Sequence, residues 1–309
     1  MFKSDTVGDL GRQRSPAPSA TRGRTLSTTR PTESTPNAGD TAQDTAARSL
    51  EHWSEAGRAE MEAFYALATE DYRQLVLAAD WCDLLSAHTG DGGRLLDVAC
   101  GSGKFPSALL TYADLSAVPG LTYDLLDPSA FSIAEAAAQL RAPFVIGREL
   151  NLTLQDLPDD AGLYDVVWAT HALYAVPPNE LDRAAERLVA VLRPGGLGVV
   201  AQATSRSHYL SFDDAYRAGV RPATPYTSAE QVRDALRRAG AEVREQRIEY
   251  TTGSADRAVA QGFLQRCAFD DGLSLEQMEA APVLGEFLAG CRGPDGSYSF
   301  HHEVALLWF

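Results

Sequence analysis

Lysine is almost absent from this chain. Only Lys3 and Lys104 occur among its 27 basic residues, and 42 acidic residues leave a net charge of -15. The first 50 residues carry seven basic and five acidic side chains, so the remainder is more acidic still. A body of that charge argues against nucleic acid or an anionic membrane as partner. It suits a neutral or cationic small molecule. Cysteine is scarce too. Cys82, Cys100, Cys267 and Cys291 form no CxxC pair, and no histidine stands at zinc-ligand spacing to any of them. That excludes a disulfide framework and predicts a reduced, cytoplasmic protein without a metal. No run reaches 18 apolar residues, and the first 30 residues lack an apolar signal core, so neither a membrane span nor a secretory leader is expected.

What is present divides the chain. Residues 1–48 are rich in Ser, Thr, Pro, Gly and Ala, which cannot bury enough surface to fold, and a disordered tail is expected. From residue 49 to about 90, Trp53, Met61, Phe64, Tyr65, Tyr72, Leu75, Trp81 and Leu85 recur at spacings of three and four, predicting a helical lid. Strands and helices then alternate over 91–205. Strands are expected at 94–99, 121–126, 144–146, 165–169 and 198–203, and a helix over 181–192 ends at "RPGG". Such an alternation implies a parallel sheet with helices on both faces. Residues 206–309 begin a new pattern. Ser228 and Gln231 have capping-box spacing, Gly240 stops that helix, 242–251 alternates like a strand, 255–290 reads as helical, and "SYSFHHEVALLWF" closes the chain as a strand. The two late strands should pair antiparallel at one sheet edge.

The chemistry concentrates at "LLDVACGSGKF". An apolar strand runs into Gly101-Ser102-Gly103, where glycine supplies unusual backbone angles and lets a ligand approach. The helix that follows offers free N–H groups at its start. The next strand ends in Asp127, placed to accept hydrogen bonds from ribose hydroxyls. Together these make a nucleoside-binding half. A dinucleotide fingerprint would need a third glycine where the chain has Pro106, and Asp97 inside the strand is foreign to that pattern.

"LDVACGSG" instead resembles the first motif of class I S-adenosylmethionine-dependent methyltransferases, and "LYDVVWATHALYAV" and "LRPGGLGVVAQ" resemble their later motifs in order. "LLDPSAFSI", "YTSAEQV" and "FHHEVALLWF" are further similar to segments of histamine N-methyltransferase. The resemblance implies a Rossmann-like, doubly wound, seven-stranded sheet with its last strand antiparallel and helical substrate-binding additions. It implies S-adenosylmethionine as cofactor, held by Asp97, Gly101, Gly103, Asp127, Asn151 and Thr170. It implies a small amine as substrate, with Glu70, His171 and His302 in the catalytic positions; where that pattern has a glutamine, this chain has His171. Tyr174, Tyr209, Phe212, Tyr226 and Phe263 are candidates for aromatic walls. The expected activity is N-methylation of a ring or aryl nitrogen by a monomer. O-methylation of a phenol with His171 as base, or a non-catalytic cofactor-binding subunit, are the alternatives.

Overall fold

The computed structural model describes residues 47–55 and 58–309. The expected tail falls outside these residues, apart from 47 and 48, which open a helical turn over 47–52. The chain then forms α1 (Arg58–Leu77) and α2 (Trp81–Thr89), joined where the Trp81 indole donates to the Leu75 carbonyl at 3.1 Å. The alternating section follows as β1 (Arg94–Val98), α3 (Lys104–Tyr112), β2 (Leu121–Leu126), α4 (Ala130–Gln139), β3 (Phe144–Leu150), β4 (Tyr164–Thr170), α5 (Leu181–Ala190) and β5 (Leu192–Ala203). The last third supplies α6 (His208–Gly219), α7 (Ala229–Arg238), β6 (Arg244–Ser254), α8 (Arg257–Ala268), α9 (Leu275–Ala280), α10 (Pro282–Gly290) and β7 (Tyr298–Trp308).

All seven strands join one sheet in the order β3-β2-β1-β4-β5-β7-β6. β7 runs antiparallel to both of its neighbours, and the remaining pairings are parallel. The expected seven-stranded α/β sheet is therefore present. Residues 206–309 complete that same sheet rather than a separate body, because β6 and β7 form its edge.

Alternation along each strand builds two cores. Leu95, Tyr123, Leu125, Trp168 and Val199 pack with Trp81, Leu85, Phe105 and Ile133 on one face. Leu96, Val98, Leu126, Val167 and Val200 pack with Leu181, Leu188, Val232 and Leu236 of α5 and α7 on the other. Burial on both faces explains why the parallel strands read as continuous apolar runs. A third cluster unites α1, α6, α8, α9 and α10 around Phe212, Phe263, Met278 and Leu284, over Tyr298 and Phe300 of β7.

Two boundaries and one helix differ from expectation. β3 continues past residue 146 to Leu150 beyond a bulge in its pairing with β2. The "RPGG" stretch begins β5 rather than ending a helix, and Gly195 there takes φ +79°. Helix α6 was not anticipated, since Tyr209, Phe212 and Tyr216 are interleaved with Asp213 and Asp214. The capping box on α7 forms as read, with Ser228 and Gln231 bonding reciprocally.

The two glycines of the turn have different reasons. Gly101 has φ +51° with open space where a Cβ would stand, whereas Gly103 has φ +72° and a Cβ there would lie 2.9 Å from Ala136 Cα in α4. Gly101→Ala should cost about 1–2 kcal/mol from the left-handed angle alone. Gly103→Ala should cost roughly 1–3 kcal/mol more through overpacking. Urea unfolding of both variants checks the ranking; equal losses would refute the Ala136 contact as the reason for Gly103.

Candidate active site

A cavity of about 1290 Å³ opens above the ends of β1, β2, β4 and β5, where a doubly wound sheet holds its ligands. Single-ligand pockets run to about 300–1,000 Å³, so this one has room for a cofactor and a second small molecule.

Its floor is the glycine turn. Ala99 and Gly101 both take φ +51°, so the backbone leaves β1 in the left-handed region twice in three residues. Asp127 holds this shape: its two oxygens accept from Gly101 N (3.0 Å) and Ser129 N (2.8 Å). Burial raises the carboxyl, and these two bonds lower it. Gly101, Ser102, Asp127 and Thr170 line the cavity. Asp97 does not. It is buried behind the turn, accepts from the Tyr123 hydroxyl at 2.6 Å, and burial pushes its carboxyl up to about 7.

The opposite wall comes from α1, the β4 end and α6. Asp71 is buried; one oxygen accepts from the Tyr209 hydroxyl at 2.6 Å, and the Tyr250 hydroxyl also stands against the carboxyl. Burial pushes its carboxyl up to about 7. His171 follows β4 with φ +50°, an uncommon angle for a non-glycine residue and a mark of a constrained site. Its ring stands edge-on to Tyr72 at 5.7 Å, its Nε2 is buried without a partner, and burial lowers it to about 4. Histidine 171 is therefore neutral at pH 7. Trp53 crosses the cavity, donating from its indole to Tyr174 Oη (2.9 Å) and accepting at its carbonyl from Ser129 Oγ (2.9 Å). Tyr226, whose hydroxyl donates to the Cys267 carbonyl at 2.8 Å, also lines the space.

Several expected site residues stand elsewhere. Glu70 points away from the cavity and binds Arg73 (2.7 Å) and Gln74 (2.6 Å); the carboxylate on the wall is its neighbour Asp71. Positions 64, 68, 71, 72 and 75 share one helical face, and 70 does not. His302 faces inward as strand alternation requires, but inward at that end of β7 is core. It is fully buried, bonded to Thr252 Oγ1 at 2.9 Å and stacked on Tyr250. Phe212 and Phe263 are likewise buried in the helical cluster and do not line the cavity. Gly103 serves helix packing rather than ligand approach. Asn151 donates to the carbonyls of Asp127 (3.1 Å) and Pro128 (2.9 Å), clamping that turn from outside; Thr153–Asp156 line the cavity instead.

The cavity fits a nucleoside with an amino-acid side arm plus a second polar ligand. Ser102, Asp71, His171 and Gln202 put polar side chains along it, and Gly101 leaves open space. Residues 96–197 match the family model of a methyltransferase domain. Among solved structures, the chain is similar to a Bacillus halodurans C-125 protein described as a methyltransferase, at 14% identity over 74% of this chain and 97% of that one, with a TM-score of 0.51. It is also similar to magnesium protoporphyrin IX methyltransferase from Synechocystis PCC 6803 with bound SAH, at 13% identity over 85% and 99%, with a TM-score of 0.47. The fold is that of class I methyltransferases, the chain carries a methyltransferase domain, and its cofactor is S-adenosylmethionine. No helix among the described residues is long and apolar enough to cross a membrane.

The raised carboxyl of Asp71 has a consequence for stability. Unfolded, an aspartate releases its proton near pH 4; folded, Asp71 keeps it to about 7. The native state then binds more protons in that window, so this residue's contribution is lost as pH rises from about 4 to about 7. Buried His171 works in the opposite sense, so the two must be separated by difference. The stability of Asp71→Asn relative to wild type should rise between pH 4.5 and 7.5 and level off above. Urea midpoints at those pH values measure it; a constant difference would mean that Asp71 ionises freely.

Proposed function

We propose that this protein transfers the methyl group of S-adenosylmethionine to a nitrogen of a small aromatic or heterocyclic amine. The observation that carries the reading is Asp71, a buried carboxyl on the cavity wall that meets the hydroxyls of Tyr209 and Tyr250 but no cation. A carboxylate so placed is costly unless a ligand brings a donor or a cation to it. A substrate ammonium is the group that best meets that need. Its charge would lower the Asp71 carboxyl and keep it ionised at neutral pH.

Bound S-adenosylmethionine supplies a methyl group on a sulfonium, ready for in-line displacement. Gly101, Ser102, Asp127 and Thr170 would hold it. The protein's part is then positioning, which can supply several kcal/mol of a displacement barrier. An ammonium held at Asp71 has no lone pair and is not methylated. The nucleophile is a second, neutral nitrogen facing Thr170 and His171. His171, neutral and on the cavity wall, can hydrogen-bond that ring and orient it. Transfer would form the N–C bond as the S–C bond breaks with its electron pair left on sulfur, and a ring nitrogen that carried a proton would release it to water.

The phenol alternative loses His171 as its base in this arrangement. A general base works best with a pKa near the working pH, and burial holds His171 at about 4. The histamine-type contacts implied for Glu70 and His302 are not available, so the substrate's anchor differs from that resemblance.

Transfer of labelled methyl to panels of amines and phenols in parallel tests the reading. Amines with a second, cationic group should be the substrates. Asp71→Asn should raise KM for them by about tenfold or more, since charge-assisted bonds are worth about 1.5–3 kcal/mol. Glu70→Gln should leave KM and kcat unchanged. Turnover of phenols alone, or of nothing while cofactor still binds, would overturn it.

A further inference from the structure

The structure assigns the carboxylate end of the bound cofactor to Lys104. This inference rests on S-adenosylmethionine as the cofactor and adds a residue that neither the glycine turn nor Asp127 accounts for.

Lys104 is the only lysine among the described residues and the first residue of α3, directly after Gly103. It lines the cavity beside Gly101 and Ser102. Its ammonium is partly buried, 4.4 Å from the centre of the Tyr65 ring. Among the described residues no carboxylate lies within ion-pair distance of it. The nearest acidic neighbours are Glu135 and Glu62. Glu135 is already engaged with Arg58 through two bonds, at 3.2 and 3.3 Å. Burial lowers the Lys104 ammonium more than those two acids raise it.

In a chain this rich in arginine ion pairs, a cation left against one aromatic face is an exception. A cation–π contact offsets only part of the cost of desolvating an ammonium. The adjacent Ser102 lines the same cavity, its hydroxyl against that of Tyr65. A cation without an ion pair, lining the cavity at the glycine turn, forms a receptor for one carboxylate. The cofactor carries one such group, on its methionyl arm. The ribose end is accounted for separately, at Asp127 on the adjacent strand. Lysine as a compact point charge suits a single carboxylate oxygen without the planar fork of arginine.

The test compares two ligands by calorimetry. S-adenosylhomocysteine keeps the carboxylate; 5′-methylthioadenosine keeps the nucleoside and sulfur but lacks the amino-acid arm. Lys104→Met should weaken S-adenosylhomocysteine binding about tenfold or more and leave methylthioadenosine within about twofold. Lys104→Arg should restore most of the difference. Retained methylthioadenosine binding also reports that the variant is folded. Equal affinity of wild type and Lys104→Met for S-adenosylhomocysteine would overturn the assignment, as would parallel losses for both ligands. Failure of the wild type to bind either ligand would overturn the cofactor itself instead.

Discussion

One carboxylate holds the two loops on which the site depends. β1 and β2 are parallel neighbours, so their C-terminal ends deliver two turns to the same edge of the sheet. Asp127 bridges them, taking Gly101 N–H with one oxygen and Ser129 N–H with the other. The first bond stabilises the left-handed path through Ala99 and Gly101, which a free loop would leave. The second fixes the start of α4, where Ser129 caps the helix by accepting from Ser132 N. With both helices set, Gly103 of the first turn meets Ala136 of α4 at a distance no Cβ would allow. The cradle's shape thus follows from a side chain that can still accept further bonds, since two oxygens offer about four lone-pair directions.

The parts of this arrangement that were readable in the chain are local ones. A strand, two glycines, a helix and an acid at the next strand end lie within about thirty residues, and their chemistry follows from backbone angles and hydrogen-bond counts. The capping box at Ser228 and Gln231 is readable for the same reason. Non-local packing was not. His301 and His302 alternate as a strand requires, yet the inward member meets aromatic core, because α6 and α8 cover that end of β7 and α6 gave no apolar period strong enough to announce itself. Phe212 and Phe263 disappear into the same cluster. Aromatic residues on a helix say that something is covered, not whether it is a ligand or another helix.

The displacement of one residue from Glu70 to Asp71 has a similar origin. Adjacent positions on a helix differ by about 100°, which separates a solvated ion pair from a buried wall. Glu70 meets Arg73 and Gln74 on its own helix, the ordinary fate of an outward-facing glutamate. Asp71 shares its face with Phe64, Ala68, Tyr72 and Leu75. The period was visible, but a carboxylate among aromatic and apolar neighbours looks like an exception to a core face until the cavity beside it is known.

Helix α1 then acts as a ruler along the cavity. Phe64, Tyr65, Ala68, Asp71 and Tyr72 all line it. Tyr65 receives the Lys104 ammonium, and Asp71 lies six residues further on, about 9 Å along the axis. One rigid element therefore presents a cation-bearing end near the glycine turn and an anionic end near Tyr209. Lys104 of α3 and Asp71 of α1, held apart along the cavity, cannot neutralise each other, and each is desolvated by its surroundings. Ligands that satisfy both must bring a negative group to one end and a positive group to the other. An amino-acid carboxylate at the first and an amine at the second meet that requirement with two separate molecules. On the proposed reading, the separation would also keep a substrate's cationic group away from the sulfonium, so that like charges would not be crowded where the methyl group moves.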